Sequence, residues 1–238
     1  MTGTPFNNTS PWEHLEKLGF DANSLSSNQR EQLELYVKLL LEANQSFNLT
    51  AVRNPEEAWR KHILESLQLA ELVPTCERLI DVGSGGGLPG MVLAITKPGV
   101  AVTLLEATAK KANFLMQTAQ ALGLRNLRVE CQRAELAGAP GAALRETFDI
   151  ATARAVAPLP VLVELAAPFL KVGGSLIAVK GEKANEELLA AKRALTLLGL
   201  ELTRTEAQPN ATVLFLRKQM PTANKYPRAP GEPKRRPL

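Results

Sequence analysis

Asp81, the glycines at 83, 85, 86, 87 and 90, and Glu106 are the residues whose types and spacing could do chemistry in this chain. They lie in Arg78-Leu-Ile-Asp-Val-Gly-Ser-Gly-Gly-Gly-Leu-Pro-Gly90 and Ala101-Val-Thr-Leu-Leu-Glu-Ala107. The first is an apolar strand that breaks into a glycine-rich turn before a helix pattern resumes at Leu88. The second is a strand that ends on an acid. Glycines let a backbone approach a ligand closely, and an acid at the tip of the next strand can grip ribose hydroxyls. The pair describes a nucleoside-cofactor pocket at the carboxyl edge of a parallel sheet.

Gly85, Gly87 and Gly90 fit the G-x-G-x-x-G spacing of a dinucleotide fold. Two details oppose a pyrophosphate there. Asp81 would repel phosphates held at a helix N-terminus, whereas its charge suits an ammonium or sulfonium group. Pro89 removes one backbone N–H donor from the helix start. Asp81-Val-Gly83-Ser-Gly85-Gly-Gly87 resembles the S-adenosylmethionine loop of class I methyltransferases, so the expected cofactor is S-adenosyl-L-methionine and Asp81 is expected to contact it.

The elements that must position these residues follow from periodicity. Residues 1–75 read as helical: Ser26-Ser-Asn-Gln29 has capping-box spacing, and Leu33, Tyr36, Val37, Leu40 and Leu41 recur at helical intervals. Asn54-Pro55-Glu56-Glu57 is a second helix start, with Trp59, Ile63, Leu67 and Ala70 on its apolar face. From Arg78 strand and helix alternate. Strands are expected near 78–83, 101–106, 127–132, 148–154, 174–180, 201–206 and 211–217, and helices near 88–96, 109–122, 160–170 and 183–199. The last two strands are separated only by Ala207-Gln-Pro-Asn210, a hairpin connection. The expected fold is α/β, Rossmann-like, with a mostly parallel seven-stranded sheet ending in an antiparallel hairpin. The expected division is an N-terminal helical subdomain over 1–75, an S-adenosylmethionine-binding methyltransferase domain over 76–218, and a basic tail over 219–238.

A chain of 238 residues with 45% hydrophobic content can hold one large α/β domain plus an appendage. The N-terminus lacks the basic and apolar regions of a signal peptide, and no apolar run reaches the length of a membrane span. Cys76 and Cys131 have no metal-ligand spacing. A cytoplasmic protein with reduced thiols, no metal and no membrane is expected, as a monomer. The net charge of +4 is unevenly spread: from Arg217 onward seven basic residues face the single acid Glu232, leaving residues 1–216 at −2. Such a basic arm is expected to be extended or loosely packed and to touch nucleic-acid phosphate.

Further blocks occur in order: Asn48-Leu-Thr-Ala51, His62-Ile-Leu-Glu-Ser66, Arg133-Ala-Glu135, Arg154-Ala155, Leu176-Ile-Ala-Val-Lys-Gly181, Tyr226-Pro-Arg228 and Gly231-x-Pro-x-x-x-Pro-Leu238. With the glycine loop they resemble the RsmG (GidB) family, from about residue 30 to the C-terminus. The resemblance implies transfer of a methyl group to N7 of a guanine in 16S ribosomal RNA, with 16S rRNA, the small ribosomal subunit or its assembly intermediates as partner. Position by position it implies cofactor contacts from Gly83, Leu88, Glu106, Ala107, Thr108, Ala134, Glu135 and Arg154. Arg154 could instead be tied in an ion pair with Asp149 or another carboxylate.

Guanine N7 has an exposed lone pair and no proton, so its attack on a methyl sulfonium requires no general base, and no catalytic residue is assigned. The segment after strand four, Ala153-Arg-Ala-Val-Ala-Pro158, lacks the Asp/Asn-Pro-Pro-aromatic pattern of amino-group methyltransferases, and neither cysteine follows a proline. His62 is expected to be a structural hydrogen-bonding residue, Asn48 and Thr50 to brace the helices, and Phe114 and Leu115 to pack in the core. Lys180 and Lys183 could contact phosphate or remain solvated. Two other functions stay open: a class I methyltransferase acting on a small molecule or protein, and a non-catalytic RNA-binding protein.

Overall fold

The computed structural model describes residues 10–238; the reading of the extreme N-terminus lies outside them. Helices α1 (Pro11–Lys17), α2 (Ser27–Ser46), α3 (Pro55–Ala58) and α4 (Glu65–Leu72) precede the first strand. Ser26 and Gln29 form the reciprocal capping box at the start of α2, and Asn54 accepts from the Glu57 N–H at the start of α3. Between α3 and α4, residues Trp59–Leu64 wind as a π-helix, a widened turn often found at functional sites.

The sheet contains β1 (Arg78–Val82), β2 (Ala101–Glu106), β3 (Leu127–Cys131), β4 (Phe148–Arg154), β5 (Leu170–Lys180), β6 (Leu200–Gln208) and β7 (Ala211–Lys218). Its order is β3-β2-β1-β4-β5-β7-β6, with the first five strands parallel and β7 antiparallel to both neighbours. The expected seven-stranded sheet with a closing hairpin is therefore present. Helices α5 (Gly90–Thr96), α6 (Ala109–Ala121), α7 (Ala134–Ala137), α8 (Leu159–Ala166), α9 (Ala184–Ala190) and α10 (Lys192–Leu198) connect the strands, and α11 (Glu232–Arg235) lies near the end. Chain order reverses between β1 and β4, where open α/β sheets form a ligand crevice.

Alternation along β1 sends its side chains to two cores. Leu79 joins Leu33, Tyr36, Leu40, Ile63, Met91 and Leu115 on the face covered by the N-terminal helices, while Ile80 and Val82 join Phe148, Leu162, Phe169 and Leu214 on the other. Phe114 and Leu115 are buried as expected. Boundaries differ from the sequence reading at several elements, the helix expected over 160–170 ending at Ala166. Strand β5 begins at Leu170, because Leu170 pairs with Phe148 across an irregularity in the ladder. The expected helix over 183–199 breaks at Ala191 into α9 and α10.

The loosely packed tail is a correction. Tyr226 is buried in the second core and Leu238 packs against it. Arg145 donates to the carbonyls of Thr222 and Tyr226 at 2.6 and 2.9 Å, and Glu146 accepts from the Thr222 N–H at 2.8 Å. Two of the seven basic groups are spent internally. Lys218 is fully buried, its Nζ donating to Glu146 and to the carbonyls of Ala167 and Leu170. Arg228 donates from Nε and a terminal nitrogen to Glu164, whose side chain is 0% exposed. Among the described residues no helix is long and apolar enough to cross a membrane.

Candidate active site

The glycine loop leaves β1 at Gly83, whose φ of +72° lies in the left-handed region. A Cβ there would meet the Val156 side chain at 3.0 Å, so the loop backbone lies close against the segment after β4. Tyr36 of α2 clamps the loop from the helical side, its hydroxyl donating to the Gly86 carbonyl at 2.9 Å. Leu88 and then Pro89 lead into α5. Gly90 opens that helix, where a Cβ would stand 2.8 Å from both Cβ and Oδ2 of Asp81.

Asp81 stands beneath this loop and not on the cavity wall. Sheet register sets Thr152 beside it, and the Thr152 hydroxyl donates to Oδ1 at 2.8 Å while the Gly90 N–H donates to Oδ2 at 3.3 Å. Burial lifts its carboxyl to about 6, against the opposing pull of these hydrogen bonds. Asp81 thus braces the loop from beneath, its carboxylate tied to the first residue of α5 and to β4.

Glu106, at the tip of β2, accepts from the Gly85 N–H at 2.9 Å and the Thr108 N–H at 2.8 Å. Each oxygen keeps a lone pair, which a ribose hydroxyl could use. Glu106, Gly83, Leu88 and Arg154 line one cavity of about 830 Å³. A smaller compartment of about 250 Å³ adjoins it at Gly83 and Val156, lined by Ala107, Ala134, Glu135 and Pro158, with Gly231 and Pro233 of the tail. Glu135 is buried, and its Oε1 accepts from the Gly231 N–H at 2.8 Å. The structure thus brings together the glycine loop, Glu106 to Thr108, Ala134 to Glu135, and Arg154. The tail wall is built from partners remote in sequence, Glu135 and Gly231 standing 96 residues apart.

Arg154 ends β4 but does not pair with Asp149, which instead binds Lys171 and the N–H groups of Glu77 and Arg78. Its guanidinium donates to the Lys61 carbonyl of the π-turn at 3.1 Å and lies 3.5 Å from Glu65. It also approaches His62 Nδ1 at 3.4 Å, while His62 Nε2 lies 2.6 Å from the Thr50 hydroxyl. Because a guanidinium only donates, Nδ1 accepts and Nε2 carries the proton. Burial, and then the Arg154 charge, depress the imidazole to about 4, so it is neutral near pH 7. His62 thus stands in the cavity wall with a partner at each ring nitrogen.

Ala155, directly after Arg154, has a φ of +56°, unusual for a side-chain-bearing residue. Beyond it a third cavity of about 460 Å³ shares Arg154, Ala155 and Glu65 with the first and reaches Lys180. Lys180 is neither a solvated nor a free phosphate-binding lysine: it is buried, 2.7 Å from Glu187, and donates to the Ala157 carbonyl at 2.8 Å. Glu65, carried by the helical segment, was missed because its spacing matches an ordinary solvated helix position. Among the described residues no cluster of His, Cys, Asp and Glu could hold a metal ion.

S-adenosylmethionine fits this arrangement. The narrow compartment can take a flat purine, the Glu106 acceptors a ribose, and the Gly83 cradle, which a Cβ would fill against Val156, the adjoining chain. The sheet order, crevice and glycine loop define a class I methyltransferase, the class that uses this cofactor. Solved structures agree on the fold. A S-adenosylmethionine-dependent methyltransferase from Aquifex aeolicus matches with a TM-score of 0.51 at 18% identity, over 64% of this chain and 88% of that one. MtNAS in complex with S-adenosylmethionine matches with a TM-score of 0.55 at 17% identity, over 91% and 86%.

The chain belongs to the GidB family, described as rRNA small subunit methyltransferase G, whose family model matches residues 29–213. A ribosomal RNA small subunit methyltransferase G from Chloroflexus aggregans is 44% identical over 220 residues, covering 90% of this chain and 92% of its own. One from Streptococcus pyogenes serotype M12 is 41% identical over 236 residues, covering 96% and 99%.

Proposed function

We propose that this protein transfers a methyl group from S-adenosylmethionine to N7 of a guanine in 16S rRNA, without a general base. The reading takes the protein as a cytoplasmic monomer acting on 16S rRNA, free or within a mature or assembling small subunit. It assigns the helices before residue 76 and the tail after 218 as walls to a cofactor domain over 76–218.

One observation carries the base-free mechanism. His62, the imidazole of the main cavity, is engaged by Arg154 at one nitrogen and Thr50 at the other, and is held neutral by its low pKa. Its single lone pair faces the Arg154 cation at 3.4 Å, which opposes the uptake of a proton from substrate. A nucleophile that carries no proton suits such a site. When bound, the cofactor supplies an electrophilic methyl group on sulfonium. The chain's own work is alignment: Glu106 accepts from ribose hydroxyls, Gly83 permits close approach, and Arg154 fixes the strand tip where base and cofactor meet. A flipped or looped-out guanine is held with N7 facing the methyl group.

Nucleoside mass spectrometry of 16S rRNA from cells with and without the gene tests this. The expected result is loss of 7-methylguanosine from one position, restored in vitro by the purified protein with S-adenosylmethionine. Loss of a different methylated nucleoside would overturn the N7 assignment. A steep acid-side fall in single-turnover rate with a midpoint near the ordinary histidine pKa would overturn the base-free mechanism.

A further inference from the structure

Guanine differs from the other bases on the edge opposite N7, where N1–H and the 2-amino group stand side by side as two donors. One carboxylate can accept both, as it accepts two parallel N–H groups from arginine. Three carboxylates line the 830 and 460 Å³ cavities. Glu106 is occupied by two backbone N–H groups at the ribose corner. Glu187 Oε2 takes both Lys180 Nζ and the Leu159 N–H at 2.7 Å. Glu65 is held far more weakly: Oε2 is 3.5 Å from Arg154 and Oε1 is 3.4 Å from Asn210 Nδ2, both at the limit of hydrogen bonding. Its lone pairs remain available to a ligand. It also stands on the wall common to the 830 and 460 Å³ cavities, beside the left-handed Ala155.

We propose that Glu65 reads the N1–H and 2-amino donors of the target guanine from the wall shared by the two cavities. The inference rests on the guanine-N7 reading and assigns the group that recognises the base. Gripping that edge turns N7 away from Glu65 and toward the rest of the cavity, where the glycine loop lies. Adenine offers an acceptor at N1 and is repelled; pyrimidines lack the second ring that would carry an N7. Arg154, 3.5 Å away, serves as the resting partner that keeps the carboxylate aimed.

The test uses the full-length protein and 16S rRNA carrying either guanosine or inosine at the methylated position. Inosine keeps N7, O6 and N1–H but lacks the 2-amino donor. The wild-type single-turnover rate should fall roughly 10- to 100-fold on inosine, the effect of one hydrogen bond to a charged group. Glu65→Gln presents one acceptor and one donor, so it should slow guanosine at least about 100-fold and abolish or invert the preference over inosine. Glu65→Asp should slow both RNAs while keeping the preference. Equal slowing of both RNAs by Glu65→Gln, with an unchanged ratio, would reduce Glu65 to a counter-ion of Arg154 and overturn the proposal. Should Glu65→Gln not fold, a wild-type rate equal on both RNAs, or a preference lost in Glu65→Asp, would overturn it as well. Mass spectrometry of the guanosine product separates the two failures. Methylation away from guanine N7 sinks the underlying reading, whereas N7 methylation without inosine discrimination sinks only the role of Glu65.

Discussion

Arg228→Met removes a guanidinium while keeping an aliphatic stem, and the carboxylate it strands is fully buried. Glu164 of α8 is 0% exposed and accepts from the Arg228 N–H and Nε at 2.9 Å and from a terminal nitrogen at 2.6 Å. The bond to Glu164 also raises the arginine pKa above its ordinary value. In the variant a buried carboxylate keeps only one backbone N–H. Breaking a buried pair from one side costs about 3–5 kcal/mol, a large share of the roughly 5–15 kcal/mol that holds a domain folded. Two responses can absorb that cost. If the tail stays docked, the melting temperature falls by about 6–20 °C, at roughly 2–4 °C per kcal/mol for a chain of this size. If the tail detaches to let water reach Glu164, the global loss is smaller, but Gly231 leaves Glu135 and the 250 Å³ compartment loses its outer wall. Thermal melts, limited proteolysis of the tail and calorimetric titration of S-adenosylmethionine distinguish the two. Glu164→Leu combined with Arg228→Met should recover most of the stability by removing the stranded charge. A folded single variant with its melting temperature within about 2 °C of the parent, an intact tail and unchanged cofactor affinity would refute the reasoning.

Gly83→Ala places a side chain at a φ of +72° and 3.0 Å from Val156, so it should weaken S-adenosylmethionine binding at least about tenfold through left-handed strain and lost approach space; titration showing parental affinity would count against the cradle. Glu106→Ala should cost about 1.5–3 kcal/mol of cofactor affinity for each ribose hydrogen bond lost, read by the same titration. The two perturbed groups beside the loop have opposite pH signatures. His62, lowered to about 4, contributes stability that is present above its unfolded pKa and lost as pH falls through 4; Asp81, raised to about 6, contributes stability that is present below its unfolded pKa and lost as pH rises through 6. Their slopes, about 1.4 kcal/mol per pH unit each, cancel between about pH 4 and 6. Asp81→Asn should expose the His62 slope, so urea melts at pH 6 and pH 5 should show the variant losing about 1.4 kcal/mol more than the parent; parallel behaviour would contradict the assignment.

Most of the sheet was legible because its strands are apolar runs bounded by turn residues, and the short Ala207–Asn210 link permits only a hairpin. Capping at Ser26 and Asn54 was legible for the same local reason. What escaped depends on distant partners. The tail reads as loose from its prolines and charges, yet Arg145, Glu164 and Glu135 seat it from 64 to 96 residues away. The position of Asp81 at a strand end was readable, but its side-chain direction was fixed by alternation and by Thr152 across the sheet. Residues 59–64 carry the same apolar spacing whether wound as α or π, so the turn that brings the Lys61 carbonyl to Arg154 left no mark in the sequence.

Ala155 shows how stability and aim compete at one peptide unit. A glycine at φ +56° would shed roughly 1–2 kcal/mol of left-handed strain, partly offset by the extra freedom glycine has in the unfolded chain. Selection for robustness alone therefore gains from glycine. Alanine narrows the backbone excursions between Arg154 and Val156, the joint on which both the guanidinium and the wall against Gly83 pivot. A thermostabilised variant obtained by relaxing this joint would be expected to hold its heat better and turn over more slowly.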